Sequence, residues 1–274
     1  MSAATLAAQS RPELRAGGTT MLNVIRSEWA KMWSLRSTAW TLASTMLVTW
    51  AITVLIAWGT VANWDQVKPA DKATFDPTTQ SLAGMVLGQF AIAVLGALVI
   101  TGEYSTGGIR TTFTAVPARL KVIFAKFLTF LVVAVATGMV ASFVAFFLGQ
   151  LFFSTKDIEA HLGDPNVLRA VFGGGLYLAG SGMFGFAFGA LLRKTPAAIS
   201  ISIAVLFVLP LLANALPGAW GDAITRYFTM NAGQHITETR ATEGLGPWMG
   251  YGVFTVEWLV VLLIGAYLIQ RRDA

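Results

Sequence analysis

An all-α chain that crosses a bilayer six times is the fold class this sequence predicts, and three observations predict it. First, of its 274 residues 55% are hydrophobic and only 12% are charged, whereas a water-soluble domain carries about 25% charged residues. Such a composition excludes a soluble globular domain, and it excludes disorder, which needs low hydrophobicity and high charge. Second, six apolar runs are each long enough to supply the ~20 residues that span a hydrocarbon core. Third, the basic residues are sorted by side once those runs are laid across a membrane.

The runs are 38–59, 81–101, a third within 121–153 that is long enough to tilt or to extend past the bilayer, 167–192, 196–216 and 250–270. None carries a charge at its centre, and their length separates them from ordinary buried helices. Residues 1–20 are rich in Ser, Ala and Thr and hold no apolar stretch of the kind a cleavable signal needs. They are expected as a loose tail ahead of a transmembrane domain over 21–274. The absence of cysteine removes disulfides, thiolate nucleophiles and zinc–cysteine sites together.

With six spans, the two termini share a side with the connections after spans two and four. That side carries 13 of the 19 Lys and Arg residues against four acids, and the opposite side carries six against nine. Lys and Arg collect in short cytoplasmic loops, so both termini are expected in the cytoplasm. The same sorting excludes nucleic acid as a partner, because the positive charge is divided among short loops and forms no continuous patch.

The segment 21–36 ahead of span one is amphipathic. Leu22, Ile25, Trp29, Met32 and Trp33 share one stripe, with Asn23, Ser27, Lys31 and Ser34 on the other side. A basic polar face opposite a Trp-bearing apolar face describes a helix lying in the membrane interface. The alternative is a helix continuous with span one, and the polar stretch 34–38 permits the bend that would separate the two.

The connection between spans two and three, TGEYSTGGIRTTFTAVPARLKVIFAK (101–126), holds Glu103, the pair Gly107 and Gly108, and several basic residues. Pro117 should end any helix before it and begin the approach to span three. A plain turn needs about four to six residues, and this connection is far longer. The surplus points to a short helix projecting into the cytoplasm and built to touch something.

At the other end, 60–80 and 154–166 read as polar, solvated loops, while 217–249 is longer and less polar. In it Trp220, Ile224, Tyr227 and Phe228 recur at helical spacing, which gives an exterior helical segment before span six, resting on or dipping into the leaflet. A solvated loop with chance periodicity is the alternative.

Several motifs lose their usual meaning in this setting. Gly180, Gly182 and Gly185 match G-x-G-x-x-G, but a dinucleotide site needs a strand before them and an acid downstream. Gly185 with Gly189, and Gly84 with Gly88, read better as close helix-packing faces. Ser181 between two glycines resembles a protease serine, yet His161 and His235 both fall in exterior loops, so no serine–histidine pair forms within the bilayer. Asp157, Glu159, His161 and Asp164 could ligate a cation, or be a solvated loop of mixed charge. No G-x-x-x-x-G-K-[ST] phosphate loop is present, so energy for pumping must come from an ion gradient or a partner. Glu257 is the one acid within a span and is a candidate for a pathway or gating role, or else a carboxylate reaching the interface beside Trp258. Pro210 should kink or break span five near its outer end.

Three segments carry a family resemblance: SEWAKMWSLRSTAWTL (27–42), TGEYSTGGIRTTFTAVPARLKVIFAKF (101–127) and the closing QRRDA (270–274). Together they resemble bacterial ABC-2 type transporter permeases, most of all those of actinobacteria. The resemblance implies a multi-pass protein of the bacterial inner membrane that exports substrate and has no ATPase of its own. It implies two copies of a separate ABC ATPase subunit, which would hold ATP and Mg²⁺, and a second permease subunit, identical or paralogous, completing a dimer in the lipid bilayer. It assigns an interfacial helix ahead of span one and an ATPase-coupling helix to the second connection. That role falls here on Glu103, Tyr104, Gly107, Gly108 and Arg110, with Arg119 and Lys121 as flanking contacts. The family moves drugs, peptides, lipids and glycans; the scattered aromatics of this chain favour a smaller amphiphile over a polysaccharide. A gradient-driven carrier using Glu257 and a non-transporting sensor or resistance subunit are the competing readings.

Overall fold

The computed structural model describes residues 20–215, 218, 221, 227–240 and 245–271, and all regular structure among them is helical. Apart from Thr20, the expected tail lies outside the described residues. So do Trp220 and Ile224 of the exterior segment.

Helix α1 (Met21–Ser34) starts at Thr20, whose hydroxyl accepts the Asn23 N–H at 3.4 Å and so satisfies one of the donors a helix start leaves open. The backbone turns extended at Leu35 (φ −92°, ψ 117°) before α2 (Arg36–Ala62) begins. α1 is therefore a separate helix and not the first turns of span one. Span two is built in two pieces, α4 (Pro77–Leu82) and α5 (Met85–Ser105), with the short α3 (Pro69–Thr74) ahead of them. Asp76 caps α4 by accepting the Thr78 and Thr79 N–H groups. There follow α6 (Gly108–Ala115), α7 (Arg119–Phe153) and α8 (Val167–Leu192).

Span five comprises α9 (Thr195–Ile203), a π-helical turn at Ala204–Val208, and α10 (Leu209–Asn214). Pro210 has no N–H with which to close the ordinary bond to the carbonyl four residues back. The helix widens instead of breaking, and the Leu209 N–H reaches back to the Ala204 carbonyl. Helix α11 (Thr229–Gln234) precedes α12 (Pro247–Arg271). Six helical stretches are long and apolar enough to span a membrane: Arg36–Ala62, Pro77–Ser105, Arg119–Lys156, Val167–Leu192, Thr195–Ala213 and Pro247–Arg271.

α8 is the central helix, with 83% of its most apolar stretch buried against 22% for α2 and 28% for α12. Lipid offers apolar side chains no incentive to hide, so membrane helices associate by close packing of small residues. At Gly185 an added Cβ would collide with the Ala93 carbonyl, at Gly96 with that of Gly182, and at Gly138 with that of Gly175. These contacts bring α5 and α7 against α8 backbone to backbone. Gly84 and Gly88 likewise sit on Thr49 and Thr53 of α2. The glycines that imitate a dinucleotide motif are thus packing positions.

α2 shows the same logic on a peripheral helix. Its buried line is Thr38, Leu42, Thr45, Thr49, Thr53 and Ala57, mostly small or hydroxylic, while Trp40, Leu47, Leu55 and Trp58 are exposed. The hydroxyls stay satisfied at that depth: Thr45 and Thr49 donate to carbonyls one turn back (2.9 and 2.7 Å), and Thr53 donates to the Ser81 carbonyl at 2.8 Å.

Candidate functional site

The end of the bundle that carries α1 and α6, the basic end, holds most of the residues singled out from sequence. Its geometry starts from glycine. The chain leaves α5 at Ser105 and turns at Gly107, which adopts a left-handed conformation (φ 73°) that side-chain-bearing residues rarely take. That turn directs α6 away from the line of α5. α6 ends at Ala115, and Pro117 separates it from the start of α7 at Arg119, as the sequence predicts.

α6 has two faces. Ile109 is buried, and Phe113, with Val116 beyond the helix end, packs on a small cluster formed by Val24 of α1 and Val122 and Ala125 of α7. Arg110, Thr111, Thr114 and Ala115 are exposed on the other side, as are Gly107 and Lys121 at the two flanks. An eight-residue helix is too short to hold its shape alone in water, so this underside is what orders it.

Beneath α6 four charged side chains close a ring. Lys126 Nζ donates to Glu28 Oε2 at 2.5 Å and to Glu103 Oε1 at 2.6 Å. Lys31 Nζ donates to Glu28 Oε1 at 2.8 Å, to Glu103 Oε1 at 3.1 Å and to the Thr112 hydroxyl at 3.1 Å. The ring joins α1, the last turn of α5 and the first turns of α7, and Thr112 ties α6 to it. Signs alternate around it and cancel, which is the condition under which charges tolerate burial. Burial alone would lower the Lys31 pKa; the hydrogen bond and charge of Glu28, and then of Glu103, outweigh it and hold the ammonium above its ordinary value.

Two arginines complete this end. Arg119 donates to the Ile269 carbonyl and Arg193 to the Leu268 carbonyl, both at 3.1 Å. They place positive charge on the open carbonyls at the C-terminus of α12, where the helix dipole favours it. The Arg119 guanidinium also lies 5.5 Å from the Phe113 ring centre, and that of Arg193 lies 5.2 Å from the ring of half-buried Tyr104.

The residues expected to form a coupling surface therefore separate. Arg110 and Lys121 face outward, Gly107 and Gly108 shape the turn, and Tyr104, Arg119 and above all Glu103 point inward. Glu103 belongs to the ring and braces the connection from beneath. The stripe on α1 divides in the same way. Leu22, Trp29 and Trp33 are exposed, Ile25 is half-buried, and Met32 is buried with Val24 and Glu28 against the bundle. α1 thus has a protein face, an exposed apolar face and a polar face at Asn23, Ser27 and Ser34.

Two ring members, Glu28 and Lys126, are absent from the residues picked out by sequence reading. Both left a trace. Lys126 lies inside an apolar run, where a lysine needs a carboxylate partner, and Glu28 shares a helical line with Val24 and Met32.

At the opposite end Glu257 Oε1 accepts the Thr229 N–H at 3.2 Å, capping α11. α11 is seated inside the bundle: Gly233 lies against Phe254 and Tyr177, and Gly250 against the Ala232 carbonyl. Glu257 is ten residues into α12, about 15 Å from its start, so α11 is set deep and not on the surface. Of the stretch the periodicity marked, Gly218, Gly221 and Tyr227 are helical among the described residues, and α11 is a further helix after Phe228. Arg169 holds the following segment by donating to the Glu238 and Ile236 carbonyls, and Thr239 donates to Asp76 Oδ2 at 2.5 Å.

Six apolar spans around a glycine-packed centre, with a short helix fastened across one end, define a multi-pass membrane subunit. Residues 24–211 match the ABC-2 family transporter proteins, more than half of the chain, and the chain belongs to that family. It is also 23% identical over 192 residues to the uncharacterized membrane protein YdbK of Bacillus subtilis (strain 168), a match covering 69% of this chain and 78% of that one. The chain is accordingly a permease subunit of an ABC transporter, and the family implies pairing with an ABC ATPase subunit.

Proposed function

We propose that this chain is the membrane half of an exporter that moves an amphiphilic substrate, a drug, peptide or lipid, out of the cytoplasm or the inner leaflet. The basic end faces the cytoplasm of a bacterial cell, α1 lies in the membrane interface on Leu22, Trp29 and Trp33, and both termini are cytoplasmic. Two ATPase subunits, which hold ATP and Mg²⁺, dock on α6 of this chain and of a second permease subunit, identical or paralogous. The two permease subunits enclose the pathway between them, since six helices packed on a central α8 leave little room within one.

The observation that carries this reading is the build of α6. Its outer face, Arg110, Thr111 and Thr114, is exposed, while its inner face, where Ile109 is buried, is fixed to α1 and α7 by Phe113 and the Thr112–Lys31 bond. A force on that outer face passes into two helices at once, and a rigid-body shift of helices is the expected response to closure of an attached motor. Glu257 Oε1 accepts the Thr229 N–H, which supports a capping role for this carboxylate over a coupling one.

Purification from native membranes in mild detergent tests the pairing, with an ATPase subunit expected in the eluate. Transport by the reconstituted complex should be sensitive to vanadate. Arg110→Ala should lower transport severalfold per ATP hydrolysed with an unchanged unfolding temperature. Transport that persists without any ATPase and is lost in Glu257→Gln would favour the gradient-driven reading.

A further inference from the structure

α1 and the start of α2 expose the apolar side chains of Leu22, Trp29, Trp33, Leu35 and Trp40, and two exposed arginines, Arg26 and Arg36, stand among them. At about 3.6 residues per turn, Arg26 falls at the rim of the Leu22, Trp29 and Trp33 face, on the side of Asn23 and Ser27. Each arginine has an exposed tryptophan one turn further along, Trp29 beyond Arg26 and Trp40 beyond Arg36. The rings of Trp29 and Trp33 lie 6.0 Å apart, centre to centre. Tryptophan collects at the head-group level of a bilayer, and an arginine stem lies along apolar surface while its guanidinium stays in the polar zone.

Neither arginine has a hydrogen bond, ion pair or ring contact among the described residues. Arg119, Arg169, Arg193 and Arg240, by contrast, all donate to backbone carbonyls. The one acid within 21–40 is Glu28, which is buried and bound to Lys31 and Lys126. Two positive charges therefore stand beside exposed tryptophans with no exposed carboxylate on the same segment. The guanidinium fork matches the oxygens of a phosphate. A zwitterionic lipid brings an ammonium with its phosphate, and this surface has no exposed acid to receive it. An anionic head group brings the phosphate alone.

We propose that the corner formed by α1 and the start of α2 is a binding surface for anionic phospholipids of the adjoining leaflet. Their phosphates lie on Arg26 and Arg36, and their chains meet the apolar face of Leu22, Trp29 and Trp33. An acidic protein surface would also suit two arginines, but the tryptophans beside both favour lipid. α1 carries Glu28 and Lys31 toward the charge ring, so lipids that hold Arg26 help to set the rotation at which those two residues meet it. The inference rests on the placing of α1 in the membrane interface and is independent of the ATPase pairing.

The test uses the full chain in nanodiscs of equimolar phosphatidylglycerol and phosphatidylethanolamine, followed by mild detergent extraction and native mass spectrometry of the retained lipid. A basic side chain at an anionic surface is worth about fivefold in binding, so phosphatidylglycerol should be retained at least fivefold over phosphatidylethanolamine. The double variant Arg26→Gln, Arg36→Gln should lower that preference at least threefold with unchanged elution and unfolding temperature. Lysine at both positions should keep most of it. Lys194→Gln, which removes an exposed cation from the α8–α9 connection, should leave it within twofold. Millimolar glycerophosphoglycerol, the head group without chains, should not displace the lipid. In the same nanodiscs a fluorophore on Leu22→Cys should be quenched by doxyl-labelled lipid, which checks the placing of α1. Absence of quenching would overturn that placing and this proposal with it. Quenching with equal retention of the two lipids would overturn this proposal alone, as would full preference in the glutamine pair, loss in the lysine pair, or an equal fall in Lys194→Gln. Displacement by the soluble head group would overturn the assignment to a lipid.

Discussion

Lys126 Nζ stands 2.5 Å from Glu28 Oε2, with each side chain only 4% exposed. A buried pair is poor evidence for net stability, but breaking one leaves an uncompensated charge and costs about 3–5 kcal/mol. Lys126→Met should therefore lower the unfolding temperature sharply, because Glu28 loses one of its two lysines and Glu103 keeps only half-exposed Lys31. Adding Glu28→Gln should recover part of the loss, since the remaining Glu103 and Lys31 again cancel. Thermal unfolding of the two single variants and the double variant in detergent gives the coupling directly. Additive losses would mean that the ring does not act as a unit.

Gly185→Ala places a methyl group on the Ala93 carbonyl at the crossing of α5 and α8. The backbone cannot yield as a flexible side chain would, so the helices must part, at about 1–3 kcal/mol. Gly252→Ala is the control, because a Cβ there meets nothing within 4 Å. Thermal unfolding should separate the two variants clearly.

Asp76 governs the tie between the segment after α11 and the start of α4. Burial would raise its pKa, but hydrogen bonds from the Thr239 and Thr79 hydroxyls and from the Thr79 and Thr78 N–H groups outweigh that and lower it. A lowered folded pKa gives stability that is present above the ordinary carboxylate value, about 3.9, and is lost as pH falls through the lowered one. The gap in unfolding temperature between the wild type and Asp76→Asn should thus be steady from about pH 7 to 5 and close below the ordinary value.

The proposed orientation follows from basic residues alone, and the chain has no cysteine of its own to confuse a labelling experiment. Ser105→Cys at the basic end and Lys68→Cys at the other should react with a membrane-impermeant maleimide from opposite sides. In intact spheroplasts only the second should label, and in inverted vesicles only the first.

The six spans were legible because bilayer thickness fixes their length, and the two-sided distribution of Lys and Arg needed no structure to read. The small-residue faces at Gly185 and Gly88 were legible for a related reason, since backbone approach in lipid requires glycine. The charge ring was not. Glu28, Glu103 and Lys126 lie on three different helices, and the relative rotation of those helices is set by packing that no local pattern reports. Glu103 therefore read as a surface acid of an exposed loop when it is a brace beneath one. The depth of α11 was hidden likewise, because Gly233 meets Tyr177 of α8 and Phe254 of α12 only once those two helices are side by side. Pro210 signalled a kink or a break, and the chain meets it with a π turn at Ala204–Val208.

The central claim is that the outer face of α6 is where an ATPase grips. Single cysteines at Thr111 and Thr114, which are exposed, and at Ile109, which is buried, allow a direct measurement by short-arm crosslinking to the co-purified ATPase in native membranes. Crosslinks from 111 and 114 that strengthen when a non-hydrolysable nucleotide is added, with none from 109, are the predicted result. An assembled complex that crosslinks from neither exposed position would contradict the account.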